Sequence, residues 1–166
     1  MRVLAFDPGF ERLGVAVIEK SNNKETLLFS DCVRTKATLS FAERLGELGT
    51  VVESLVQEWQ PKAVALENLY FEKNAKTAMN VAAVRGMLMY IAASHGLLVH
   101  EYTPLQVKVA ITGYGKSDKS AVALMVSKLI TLPKISGKRL DDELDAIAVG
   151  LTCLASTKPL PVGRQV

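Results

Sequence analysis

The order in which strand-like and helix-like segments follow one another constrains this chain more than any other feature. Arg2 to Phe6 is β-rich and stops at Asp7-Pro8-Gly9, a turn signal. Leu13 to Glu19 reads as a second strand, closed by the loop Ser21-Asn22-Asn23-Lys24, and Thr26 to Arg34 as a third. The chain therefore opens as an antiparallel meander. Ser40 and Glu43 then form a capping-box pattern. From Phe41, the positions Leu45, Leu48, Val51, Val52, Leu55, Val56 and Trp59 recur at helical spacing as far as Pro61. Ala63 to Leu66 is a short buried strand closing on Glu67. A second helix, Asn74 to Ser94, is apolar on most faces and so expects burial on more than one side. Leu97 to Val99 makes a fifth strand, and Thr103-Pro104 opens a short helix toward Ala110. After the loop Gly113-Tyr114-Gly115, Ser117 or Asp118 starts a helix reaching Leu132. Pro133 to Lys138 is a connector, and Asp141 to about Ser156 is the last helix. This succession predicts an α/β fold: a five-stranded mixed sheet, its three leading strands antiparallel, with helices on both faces. Residues 1–156 are expected to form a single domain and 157–166 a flexible C-terminal tail.

Composition agrees with one globular unit. The 166 residues are 49% hydrophobic and 22% charged, which excludes wholesale disorder and allows a real core. Two cysteines, Cys32 and Cys153, cannot build a disulfide framework or a four-ligand zinc site, and read as small buried residues in a reducing compartment. The net charge of +3, with a pI near 8.9, permits a polyanionic partner without demanding one. Four apolar residues before Asp7 are too few for a signal peptide, and Arg85 interrupts the longest apolar stretch, Val81 to Ala93. A soluble, cytoplasmic protein without a membrane partner is expected.

Two acids stand where apolar strands stop, Asp7 after Val3-Leu4-Ala5-Phe6 and Glu67 after Val64-Ala65-Leu66. Strand ends of α/β sheets are where ligand-binding groups gather, so both are expected to face one crevice. Asp also opens turns, which is the plainer account of Asp7. Glu67 has no turn chemistry beside it. A third acidic feature, Asp141-Asp142-Glu143-Leu144-Asp145, heads the last helix, where acids also complement the helix dipole. Helical spacing lets Asp145 share a face with either Asp142 or Asp141. Ala146-Ile147-Ala148-Val149 follows, so Asp145 borders a packed surface and needs a partner. Divalent cations satisfy several such acids together, and oxygen-only ligands favour Mg²⁺ or Mn²⁺. Two ions would suit phosphodiester hydrolysis. His95 and His100 show no metal spacing.

Basic residues gather around the same crevice. Lys73 and Lys76 flank Asn74 just after Glu67, Lys108 sits in the short helix, and Lys116 and Lys119 surround the start of the next. Singly, each is an ordinary surface lysine. Their recurrence at loop–helix junctions, where backbone N–H groups also bind phosphate, makes them candidate DNA contacts. The pair Tyr70-Phe71 can pack in a core or wedge against bases.

In order, Asp7-Pro8-Gly9, Glu67-Asn-Leu-Tyr-Phe71, Asn74 through Arg85-Gly86, Tyr102-Thr-Pro-Leu-Gln-Val-Lys108, Gly113-Tyr-Gly-Lys-Ser-Asp-Lys119 and the closing Asp145-Ala-Ile-Ala span nearly the whole chain. Together they resemble the RuvC family, bacterial Holliday-junction resolvases of the RNase H-like nuclease superfamily. The resemblance implies an RNase H-like fold and a metal-dependent endonuclease that resolves four-way DNA junctions by paired nicks, in recombination and repair. It places the family's catalytic, metal-binding tetrad on Asp7, Glu67, Asp142 and Asp145. Its DNA-contacting lysines fall on Lys108 and Lys119, and its junction-centre aromatic on Tyr70, with Phe71 beside it. It further implies a homodimer and a branch-migration helicase partner. A surplus of apolar surface on the Asn74–Ser94 helix, at Ala78, Val81, Ala82 and Met89, is where a two-fold dimer would form.

Three features depart from the family pattern: the Asp141-Asp142 doublet, the larger Glu143-Leu144 between the last two acids, and a long connector from Lys134 to Leu140. Three other readings belong beside this one. An actin-like ATPase needs a second domain and a second glycine-rich phosphate loop, for which the 166 residues have no room. A catalytically silent junction-binding protein, or a related nuclease acting on RNA precursors, would differ from the resolvase in what it cuts.

Overall fold

A computed structural model describes residues 1–68, 75–133 and 139–157, with the side chains of residues 75 and 76 excepted. Its elements are β1 (Arg2–Asp7), β2 (Arg12–Ser21), β3 (Lys24–Arg34), α1 (Phe41–Trp59), β4 (Ala63–Glu67), α2 (Ala75–Ser94), β5 (Leu98–Tyr102), α3 (Pro104–Thr112), α4 (Lys119–Leu129) and α5 (Asp141–Ser156). The strands form one sheet in the order β3-β2-β1-β4-β5. β1, β2 and β3 are antiparallel to one another, while β4 pairs in parallel with β1 and β5 in parallel with β4. The expected mixed sheet with helices on both faces is what forms.

Period-two alternation along the central strands divides the core. Val3, Ala5, Ala16, Ile18, Ala63 and Ala65 pack on one face with residues of α3, α4 and α5. Leu4, Phe6, Val15, Val17, Val64 and Leu66 pack on the other with α1 and α2. The α5 side of the sheet is lined by alanines, which lets that helix lie close. Gly150 of α5 meets Ile18 and Ala5 there. Each fully buried Leu, Ile or Phe in these layers is worth roughly 1.5–3 kcal/mol.

Local signals fix most helix starts. Ser40 and Glu43 complete the capping box of α1, Thr103 and Gln106 that of α3, and Asp118 caps α4. β5 runs to Tyr102, beyond the expected Val99, because the ladder with β4 continues through His100 and Glu101 at the sheet edge. α4 stops at Leu129, short of Leu132, as Ile130 turns extended. Among the described residues no helix is long and apolar enough to cross a membrane.

Candidate active site

The alternation that builds the core also builds the site. Asp7 follows Ala5 by two residues and Glu67 follows Ala65 by two, so both acids emerge on the α5 side of the sheet. The parallel register Phe6↔Leu66 sets the two strand ends side by side. Gly14 is the partner of Asp7 on β2. A Cβ there would stand 1.9 Å from the Asp142 carbonyl oxygen and 3.2 Å from the Asp7 Cβ. Only the absence of a side chain lets the first turn of α5 come down beside Asp7.

Asp7, Glu67 and Asp145 line one open cavity of about 260 Å³ together with Lys108 and Lys119, while Pro104, Val107 and Val122 supply an apolar wall. Asp142 lies in an adjoining cavity of about 250 Å³, with Arg12, Lys119, Arg139, Leu140 and Asp141. Lys119 borders both. Its Nζ donates a 3.1 Å hydrogen bond to Asp145 Oδ2, and Arg12 Nη1 stands 3.5 Å from Asp142 Oδ2. The sequence showed no cation for Asp145 along its own helix; the structure supplies one from α4. Cys32, half-buried rather than buried as expected, has its Sγ 4.0 Å from Asp142 Oδ2.

Burial raises the Asp7 pKa from 3.8 to about 8, and the charges of Glu67, Asp145 and Asp142 push it the same way against Lys119. Burial first, and then Asp145, also raises Glu67, with Lys119 and Lys108 opposing. Burial likewise raises Asp145, although its hydrogen bond from Lys119 pulls back. That same bond is the main cause of the raised pKa of Lys119. The charge of Asp142 raises Asp7, while both Asp141 and Asp142 raise Asp145, and Asp141 is the more exposed of the two.

Among the described residues, no three His, Cys, Asp or Glu side chains converge as a metal site. Instead the two outer carboxylates are held by Lys119 and Arg12. The donor set nevertheless suits a hard divalent cation. It offers carboxylate oxygens alone, and Asp7 is buried among like charges that a cation would neutralise. The histidines stand apart: His95 Nε2 meets Glu53 Oε2 at 2.6 Å between α2 and α1, and His100 lies in β5.

Of the expected DNA contacts, Lys108 and Lys119 line the acidic cavity. Lys116 is exposed in the turn before α4 and lines neither cavity of the site. Tyr70, Phe71 and Lys73 lie outside the described residues, as does the side chain of Lys76, whose backbone is in α2. Sequence reasoning missed Arg12, Gly14 and Arg139. A glycine inside a strand pattern signals a close backbone approach, so Gly14 was within reach. No local signal marks the two arginines.

Comparison with known proteins gives the family and the fold. Residues 3–153 match the family described as crossover junction endodeoxyribonuclease RuvC. A protein of that name from Thermosipho melanesiensis is 42% identical over 155 residues, covering 93% of this chain and 97% of its own. One from Ruminiclostridium cellulolyticum is 38% identical over 151 residues, covering 91% and 90%. Thermus thermophilus RuvC, solved in complex with a Holliday junction substrate, superposes with a TM-score of 0.84 at 33% identity over 92% of each chain. A yeast mitochondrial Holliday junction resolvase, only 12% identical, shares the fold with a TM-score of 0.71. With a match over nearly its full length and the acids of two strand ends and a helix head brought together, the chain belongs to the RuvC family of crossover junction endodeoxyribonucleases.

Proposed function

We propose that this protein resolves four-way DNA junctions by hydrolysing one phosphodiester in each of two strands. The observation that carries the reading is the shared cavity, in which Asp7, Glu67 and Asp145 face Lys108 and Lys119. Carboxylates alone would repel a DNA backbone, and lysines alone would bind it without chemistry. Both lining one cavity suit a scissile phosphate held beside a cation.

In this reading Asp7, Glu67, Asp142 and Asp145 would hold two Mg²⁺ ions, with Mn²⁺ able to substitute. When bound, the cation supplies Lewis-acid activation of a water and neutralises charge on the leaving oxygen. Asp7, buried deepest, fixes the site against the sheet. Lys108 and Lys119 attract and orient the phosphates, joined by Lys116 and by the residues that follow Glu67 in the sequence, Tyr70, Phe71, Lys73 and Lys76. The apolar wall of Val107 and Val122 limits water on one flank. The same reading takes the working form as a cytoplasmic homodimer acting beside a branch-migration helicase.

The decisive experiment incubates the protein with mobile four-way junctions, matched duplex, single strands and RNA, in Mg²⁺, in Mn²⁺ and in EDTA. Symmetric paired nicks in the junction, dependent on metal, are the expected result. Junction binding without cutting would make the protein a silent binder. Faster cleavage of RNA would reassign its substrate.

A further inference from the structure

The first turn of α5 carries Asp142 and leads to Asp145, yet it lacks the device that starts other helices here. Ser40, Thr103 and Asp118 cap α1, α3 and α4 with their side chains. Leu140, at the N-cap of α5, makes no such bond. The continuous buried run of the helix begins only at Ala146, after both acids. Something else must hold its head.

Three residues do so. Glu143, one position after Asp142, is turned away from the cavities and buried, its side chain only 9% exposed. Its Oε1 accepts a 2.6 Å hydrogen bond from Ser30 Oγ of β3 and pairs with Arg139 Nη1. The Arg139 side chain, 10% exposed, also donates to Ser30 Oγ at 2.9 Å and, through Nη2, to the Pro133 carbonyl oxygen at 2.7 Å. The connector, the sheet and the helix head thus meet at one buried ion pair. Gly14 gives the second fixed point, where the Asp142 backbone rests on β2. Two points on adjacent strands set both the height and the rotation of the turn.

Stability alone is a poor reason for such a pair. Desolvating two charges offsets most of their attraction, and a well-packed apolar replacement is commonly as stable. We propose that Ser30, Arg139 and Glu143 are positioning residues: a buried brace that holds Asp142 and Asp145 in register with Asp7 and Glu67 for cation binding and cleavage. This inference rests on the reading that those four acids hold the cation. It also gives Glu143 a task distinct from that of the acids on either side of it.

The test replaces the whole brace with apolar residues, Ser30→Ala, Arg139→Met and Glu143→Leu together, so that no charge is left buried and unpaired. Melting temperature, junction affinity in EDTA, Mn²⁺ affinity from the paramagnetic resonance of free Mn²⁺, and single-turnover cleavage are compared with wild type. The expected triple variant is folded and still binds junctions, any loss from Arg139, which also lines the Asp142 cavity, being overcome at saturating DNA. Mn²⁺ affinity without DNA and single-turnover cleavage each fall about 10–100-fold, the usual effect of removing support behind metal ligands. Cleavage should recover in part as Mn²⁺ is raised. A folded triple variant that binds Mn²⁺ and cuts as wild type does would overturn the brace alone. An unfolded one would make it a stability element and overturn the positioning role. A wild type that neither takes up Mn²⁺ nor cuts junctions would remove the underlying function, and this inference with it.

Discussion

Burial and three neighbouring carboxylates hold Asp7 at a pKa of about 8 in the metal-free protein, against 3.8 for an unperturbed carboxyl. Between those values the folded chain keeps a proton that the unfolded chain has lost, so stability falls as pH rises from about 4 to about 8. Glu67 and Asp145, also raised, add to the same slope. Glu25, Glu43 and Asp118 are lowered and act the other way, but that opposition is complete once the pH has passed their ordinary values of 4.5, 4.5 and 3.8, at the acid end of the window. Melting curves in EDTA should therefore show a declining temperature across this range. The increment given by Mg²⁺ should grow with pH, since the cation competes with the proton. Asp7→Asn should flatten much of the slope, melt higher than wild type at pH 8 and bind junctions, yet cut them slower by orders of magnitude. A variant with the wild-type slope would mean that Asp7 is not the buried acid. At the head of α5, Asp142→Asn is expected to cost orders of magnitude in single-turnover rate with little change in melting. Asp141, more exposed and outside the ion pair that Arg12 makes with Asp142, should as Asp141→Asn keep most activity and lose only about 0.5–1 kcal/mol of dipole stabilisation. Reversal of the two results would shift the ligand assignment by one residue.

At the scale of elements, the site exists because α5 lies against β1 and β2 with no side chain between them. Gly14→Ala would place a Cβ 1.9 Å from a backbone oxygen, which no rotamer change relieves. An overpacking cost of about 1–3 kcal/mol is expected, together with loss of cutting, because the displaced turn carries Asp142. A variant as stable and active as wild type would show that α5 can stand off from the sheet. The lysines act at this scale too, from the helices that wall the cavity. Lys108→Ala should lower the salt slope of junction affinity by about one unit for its lost phosphate contact, alike for all junction sequences. An unchanged slope would return it to an ordinary surface role. Strand-end acids were legible in the sequence, because period-two alternation and an abrupt stop place Asp7 and Glu67 without knowledge of any other strand. The caps at Ser40 and Thr103 were legible for the same reason, each being a contact within four residues. The cation of Asp145 was not, since Lys119 is 26 positions away on another helix. Neither was the brace, which depends on β3 lying under the α5 head, a pairing of residues 113 positions apart.

For the whole molecule, the open question is what covers α2. Val84, Leu88, Ile91 and Ala92 face the core beneath it. The opposite side still presents Met79, Ala82, Gly86, Met89, Tyr90 and Ala93 to solvent, with Met79 and Tyr90 each more than 70% exposed. Of the four positions expected at a dimer contact, Ala82 and Met89 lie on this stripe, Ala78 is half-buried at its edge, and Val81 falls on the core-facing side with Val84 and Leu88. From Met79 to Ala93 the stripe extends for roughly 21 Å. Small residues at Ala82 and Gly86 near its middle allow two copies to approach closely about a two-fold axis. Such a pairing would hold two acidic cavities at a fixed separation, as nicking two strands of one junction in concert requires. Ala82→Arg puts a charge at the centre of that contact and leaves every residue of the cavities untouched. Sedimentation at micromolar concentration should show a dimer for wild type and a monomer for the variant. Mn²⁺ affinity and melting below the dimer transition should stay the same, while the two nicks in each junction lose their coupling and single-nicked products accumulate. A variant that remains dimeric and cuts both strands together would place the partner on another face, and α2 would then need a different cover for its exposed stripe.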